Sequence, residues 1–244
     1  MLVPLTRQKF EQMIPRIATS DQYRYCWGKF PEFLKRLLIS VVGIVVVLIV
    51  NWILSWILGE GLSILLFPVG ATAGMYWLWG PVLWASLRNA EYRKYPYSGF
   101  LRGRVLDVFI TEDLIGTEET VNNKGDLVIV ENRERRLNIE VGDETDFYTQ
   151  IQVPLRRTYQ DIVPNQIAEM VVLSNQPDLS TIAKVTDIYI PSRNIWVSDY
   201  PYLQKNVFVE VSRRLRGERD KRSRPRQTPR RKPRPSYQRD AEEW

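Results

Sequence analysis

LLISVVGIVVVLIVNWILSWIL at residues 37–58 and LSILLFPVGATAGMYWLWGPVLWASL at residues 62–87 contain no Asp, Glu, Lys or Arg. About 20 apolar residues in a helix cross a hydrocarbon core about 30 Å thick, and both runs exceed that length. Neither shows the polar face that a surface helix of a soluble protein carries. Only Gly59-Glu60-Gly61 parts them. The reading is a membrane α-helical hairpin, with transmembrane helix 1 over 37–58 and transmembrane helix 2 over 62–87.

The flanks orient it. Arg7, Lys9, Arg16, Arg24, Lys29, Lys35 and Arg36 precede the first run, Arg88, Arg93, Lys94, Arg102 and Arg104 follow the second, and the connection holds only Glu60. Cytoplasmic flanks are rich in Lys and Arg. The expectation is a two-pass integral membrane protein with both termini cytoplasmic. The apolar runs are too long for a signal-peptide core and lie behind a polar segment, so they read as a permanent anchor.

Within helix 2, Gly70 and Gly74 make a small-residue face for helix packing, against helix 1 or against a helix of another subunit. Pro68 and Pro81 each remove a backbone donor and predict bends. Asn51 is the one strongly polar side chain well inside helix 1.

Residues 1–36 read as a cytoplasmic, interfacial N-terminal segment. Thr6 caps a short helix carrying Phe10, Met13, Ile14 and Ile17. Tyr23, Tyr25, Trp27 and Phe30 then mix with Arg24 and Lys29, a composition suited to the headgroup layer or to packing on a soluble domain.

From residue 98 to about 212 short apolar runs alternate with turn residues. Strands are expected at 104–110, 126–131, 137–141, 147–153, 167–173, 183–190, 195–197 and 207–211. That pattern predicts a cytoplasmic all-β domain, an SH3-like or OB-like small barrel.

No histidine is present and Cys26 is the only cysteine. A Ser-His-Asp triad, an internal disulfide and a thiolate zinc site are therefore excluded. No glycine-rich phosphate loop occurs. Acidic pairs at 112–113 and 118–119 and the cluster 143–146 sit in expected turns and read as solvated charge. The chain is expected to be no enzyme and to need no cofactor or metal. The most distinctive stretch is RNIWVSDYPYL at 193–203, where Arg193, Trp196, Tyr200 and Tyr202 are candidate partner-binding anchors, with barrel core the competing reading.

Residues 213–244 form a basic, proline-rich tail expected to be disordered. Arg213, Arg214, Arg230, Arg231 and Lys232 are its candidate contacts to an anionic surface, either acidic lipid or acidic protein. The tail lacks the aromatic platforms of single-strand readers, which argues against nucleic acid.

PLTRQKF at 4–10, YCWGKFPEFLKRLLIS at 25–40 and the 193–203 stretch resemble a family of cyanobacterial and plastid membrane proteins whose members often carry the label "phosphate ABC transporter permease". The resemblance implies a thylakoid or plasma membrane of a photosynthetic cell. Permeases under that label resemble larger helical bundles, which two spans and a β domain do not make. The sequence thus points to a non-catalytic membrane scaffold or assembly factor, with membrane lipid and other membrane subunits as partners. Alternatives are a transporter accessory subunit or small oligomeric channel, and a membrane-tethered nucleic-acid binder.

Overall fold

The computed structural model describes residues 1–58, 63–121, 126–143 and 147–223. The 59–61 connection, the 122–125 turn, residues 144–146 of the acidic cluster, and the tail from 224 onwards, including Arg230, Arg231 and Lys232, lie outside the described residues. Met1–Phe208 forms one compact unit and Val209–Trp244 a second.

In the first unit, strand β1 (Leu2–Pro4) is followed by helices α1 (Arg7–Met13), α2 (Ser20–Trp27), α3 (Phe30–Leu58), α4 (Ser63–Gly74) and α5 (Tyr76–Arg93). Among the described residues one helix, Phe30–Ile57, is long and apolar enough to cross a membrane, and it is almost wholly exposed. The second apolar block is not one helix. It breaks at Met75, where the buried Ser40 hydroxyl of α3 takes the N–H of Trp77 at 3.0 Å. The Trp79 indole takes the carbonyl of Thr72 at 2.8 Å. Pro81 has no N–H to offer Trp77. Side chains inserted into the ladder are a sufficient cause of a helix break.

Seven further strands complete an antiparallel sheet: β2 (Tyr97–Val121), β3 (Leu127–Gly142), β4 (Tyr148–Pro154), β5 (Ile167–Ser174), β6 (Lys184–Val185), β7 (Ile188–Ile190) and β8 (Ile195–Val197). The path is β4-β3-β2-β5-β7-β8, with β1 on β2 and β6 on β5. No ladder joins β4 to β8 among the described residues, so the expected barrel is instead an open sheet wrapped over one core. That core is built from Leu101, Val105, Ile139, Val141, Met170, Ile188 and their neighbours. At Gly103 a Cβ would lie 2.5 Å from the Gly142 carbonyl oxygen, so only glycine lets β2 and the end of β3 approach there.

Five of the expected strand runs change. The runs at 126–131 and 137–141 are one strand, and the 104–110 run is part of a much longer one. The 183–190 run is split at Thr186, whose hydroxyl takes over Val171 N–H (3.1 Å) and bonds its carbonyl (3.0 Å). Residues 207–211 belong to a helix, α6 (Lys205–Ser223), not a strand. Phe208 enters the aromatic cluster of Phe100, Tyr189 and Trp196 from it. In the second unit the same helix carries Arg213 and Arg214, residues expected to begin a disordered tail, and Arg214 pairs with Glu210 at 2.7 Å.

The N-terminal segment is tied into this unit rather than lying free of it. β1 continues the β3 side of β2, Leu2 opposite Leu101, and Phe10, Met13 and Ile14 are buried. Helix ends leave carbonyls without intrahelical donors. Three arginines supply them. Arg7 donates to the Arg93 and Tyr95 carbonyls behind α5 (2.8 and 2.7 Å), and Arg93 to the Glu11 and Ile14 carbonyls behind α1 (3.1 and 2.6 Å). Arg36, itself buried, donates to the Cys26 and Trp27 carbonyls ending α2.

At the centre of these joints lie two fully buried amides. Gln22 Nε2 donates to Asn89 Oδ1 (3.1 Å), and Asn89 Nδ2 returns a bond to Gln22 Oε1 (2.8 Å). Gln22 Nε2 also reaches the Pro201 and Tyr202 carbonyls, Asn89 Nδ2 the Pro15 carbonyl, and Gln22 Oε1 closes the α2 capping box with Thr19. Three segments far apart in sequence meet at one polar lock.

Leaving buried polar groups unmade costs more than their net contribution. Gln22→Ala and Asn89→Ala are each expected to destabilise the unit by about 2–3 kcal/mol. The double variant should cost far less than the sum, because either change already breaks the pair. Chemical unfolding in lipid nanodiscs reads this; strictly additive losses would show that the amides act separately.

Candidate functional site

Residues 198–203 follow β8 as an extended strap held by a buried acid. Asp187, in the turn between β6 and β7, accepts the N–H groups of Tyr202 (3.2 Å) and Leu203 (2.9 Å). The strap's side chains then pack on α2 and α5. Tyr200 is buried, meets Tyr25 edge-on at 5.1 Å and Tyr202 at 4.7 Å, and its hydroxyl donates to the Ala85 carbonyl. Tyr202 stacks on Tyr92 with ring centroids 3.7 Å apart.

Cations cover these rings. The Arg88 guanidinium lies 5.0 Å from the Tyr200 ring centre and 5.6 Å from that of Tyr25. Lys184 sits 5.0 Å over Tyr92 and pairs with Glu91. Such contacts contribute about 0.5–2 kcal/mol each, more where water is excluded. Arg88 stands one residue beyond the second apolar block, so this cluster lies where that block meets the sheet.

Two clefts flank the strap. One, of about 440 Å³, is lined by Arg88, Tyr92, Gln150, Gln152, Asp199 and Tyr202 among others. The other, of about 320 Å³, is lined by Arg24, Tyr25, Arg156, Trp196, Asp199 and Lys205 among others. Both mix aromatic rings with charged groups. Burial pushes the Tyr92 and Tyr200 phenols well above the ordinary range and raises that of Tyr202, so none is a base at neutral pH. Desolvation pushes the Cys26 thiol up, against the opposing pull of Arg88 and Arg36. Asp187 is pushed up to about 7 by burial, but both its oxygens are held by backbone. Among the described residues no three acidic or thiol groups converge as a metal site would require.

The expected partner anchors divide. Tyr200 and Tyr202 do meet, but as a buried joint, not as a free surface. Trp196 is half-buried against Tyr189 (4.6 Å) and Phe208 (5.3 Å). Arg193 is exposed in the β7–β8 turn and lines neither cleft. Gly70 and Gly74 face α3 of the same chain, where a Cβ would come to 3.3 Å from Val47 and 3.0 Å from Ile44. Of the acidic groups, Glu112 pairs with Arg135 (3.2 Å), Asp113 with Arg136 (3.6 Å), and Asp143 with the N-terminal ammonium.

Tyr92 and Asp187 were not singled out from sequence, Arg88 was read only as flanking charge, and Tyr25 takes the packing alternative, edge-on to Tyr200. Asp187 gave the clearest missed signal: a lone carboxylate inside the apolar run AKVTDIYI at 183–190.

Between an unfolded value near 3.8 and the folded value of about 7, the folded state holds a proton on Asp187 that the unfolded state has lost. That contribution to stability is complete below the lower value and disappears as pH rises through the upper one. Asp187→Asn cannot titrate. The thermal midpoint of the unaltered protein, relative to this variant, is therefore expected to fall from pH about 4 to about 7 and then level. Parallel midpoint curves in nanodiscs would refute the assignment.

No curated protein and no solved structure matches the chain. A family of unknown function, DUF8619, matches residues 3–221. That match covers the apolar helices, the sheet and α6 together, and the chain belongs to this family.

Proposed function

We propose that the protein is a non-catalytic, two-pass membrane scaffold or assembly factor that holds its sheet in a fixed pose at the cytoplasmic surface. α3 supplies the first span, and the kinked pair α4–α5 the second. The bordering cations argue for cytoplasmic termini. The sequence resemblance argues for a thylakoid or plasma membrane, and so for a photosynthetic complex as partner. Arg213 and Arg214 on α6, with Arg230, Arg231 and Lys232 beyond it, supply charge for acidic lipid or protein.

One observation carries this reading: the apolar helices are welded to the sheet. A domain that needs only a tether is served by a flexible linker. Here Arg7 holds the carbonyls on either side of Lys94, those of Arg93 and Tyr95, and the Gln22–Asn89 pair locks α5 to both α2 and the strap. Fixed geometry is what a scaffold requires, because each partner must meet both the membrane helices and the sheet in register.

The test is a Gly-Ser insertion between Lys94 and Tyr95, compared with the unaltered chain by cross-linking in membranes and purification of the complex. Partner subunits should be recovered with the unaltered chain and lost with the insertion, while both forms remain membrane-bound. Equal recovery from both would mean that pose is irrelevant, and recovery of the bare protein alone would remove the scaffold role. Topology is read separately. Glu60→Cys in a Cys26→Ser background should react with an impermeant maleimide only from the non-cytoplasmic side.

A further inference from the structure

Past the base of the sheet, β2 and β3 leave their neighbours. β5 accompanies β2 only as far as Arg104, and β4 accompanies β3 only from Arg136 onwards. Among the described residues, 114–121 and 127–134 therefore ladder only with each other, Val121 opposite Leu127 and Leu114 opposite Arg133, while the Arg135 carbonyl still takes the Leu155 N–H at 3.1 Å. The result is a two-stranded arm with both outer edges open.

Its side chains are not those of a solvated hairpin. Leu127 is 75% exposed, Ile129 65%, Ile115 56%, Leu114 55% and Val130 47%. With Ile110 and Val128 they offer on the order of 700 Å² of apolar surface, divided between the two faces of the ribbon because successive strand residues alternate. A lone two-stranded ribbon is marginal in water, and an open apolar edge invites another strand.

We infer that the arm pairs with the arm of a second copy of this chain, β3 edge to β3 edge, antiparallel about a two-fold axis near Ile129. Charge selects this edge. β2 carries Asp107, Glu112, Asp113 and Glu119 along the arm and its base, so two copies of that strand would repel. The LVIV segment at 127–130 is neutral. In the proposed register Ile129 opposes Ile129 and Val128 opposes Val130 on both sides, which keeps each face of one ribbon continuous with the same face of the other. Leu127 then opposes Glu131, whose carboxylate Arg133 of its own chain holds at 2.8 Å. Two marginal ribbons become one four-stranded sheet. The inference rests on the arm alone and is independent of the number of spans.

The experiment uses the full chain, in detergent and in proteoliposomes, in a Cys26→Ser background. Ile129→Cys should form a cross-linked dimer with copper phenanthroline, while Thr117→Cys, exposed on the other strand, should not. Val128→Lys combined with Val130→Lys should lower the dimer fraction measured by light scattering about tenfold, with an unchanged melting midpoint, since the arm lies outside the core. A monomeric unaltered protein overturns the inference, as does a dimer that survives both lysines. So does quenching of a bimane on Ile129→Cys by spin-labelled lipid, which would put the arm in the bilayer.

Discussion

The reciprocal bond between Gln22 and Asn89 is the constraint on which the rest of the unit depends. Two primary amides facing each other satisfy both donor and acceptor, and their spare groups reach Pro15, Thr19, Pro201 and Tyr202. Because the site is dry, every bond made there is strengthened and every bond lost is penalised. α5 could not turn about its own axis, or slide by one residue, without stranding these groups. The axis of the apolar helix is thereby coupled to the strap, and the strap through Asp187 to the sheet.

The tyrosines and arginines add bulk to that coupling. Arg88 between Tyr25 and Tyr200, and Tyr202 against Tyr92, fill the angle between α2, α5 and the strap with large rings that lose little rotamer freedom on packing. Raised phenol and thiol pKa values are a by-product of the same burial. The cluster is thus a joint whose polar groups are mostly engaged internally, flanked by two open clefts.

Sequence made the extremes legible. Residues 37–58 could be read because an uncharged run of that length has few other uses, β4 because its alternation was intact, and β5 and β8 because they are short apolar runs between turn residues. The second apolar run misled because its break comes from Ser40, a residue in another helix, competing for the N–H of Trp77. VFVEV at 207–211 alternates like a strand, yet Val207, Phe208 and Val211 also recur at helical spacing, and packing of Phe208 on Phe100 decides between the two. The strap's aromatics were visible as a group. Their partners were visible only in part, since Tyr25 was read as suited equally to the headgroup layer or to a soluble domain, and Arg88 only as charge bordering the second apolar run.

The arginines show how one residue type serves two stages of the same protein. In the sequence, Arg7, Arg36, Arg88 and Arg93 are charge bordering the two apolar runs, on which the expected orientation rests. In the folded unit three of them end helices, each donating to two carbonyls, and the fourth lies over two rings. A guanidinium can do this because its fork reaches two acceptors in one plane while its faces remain free to stack. Lysine would preserve the charge but present one ammonium centre in place of the planar fork. It follows that Arg→Lys at these positions keeps the bordering charge and weakens the joints, separating the electrostatic role of these residues from their geometric one.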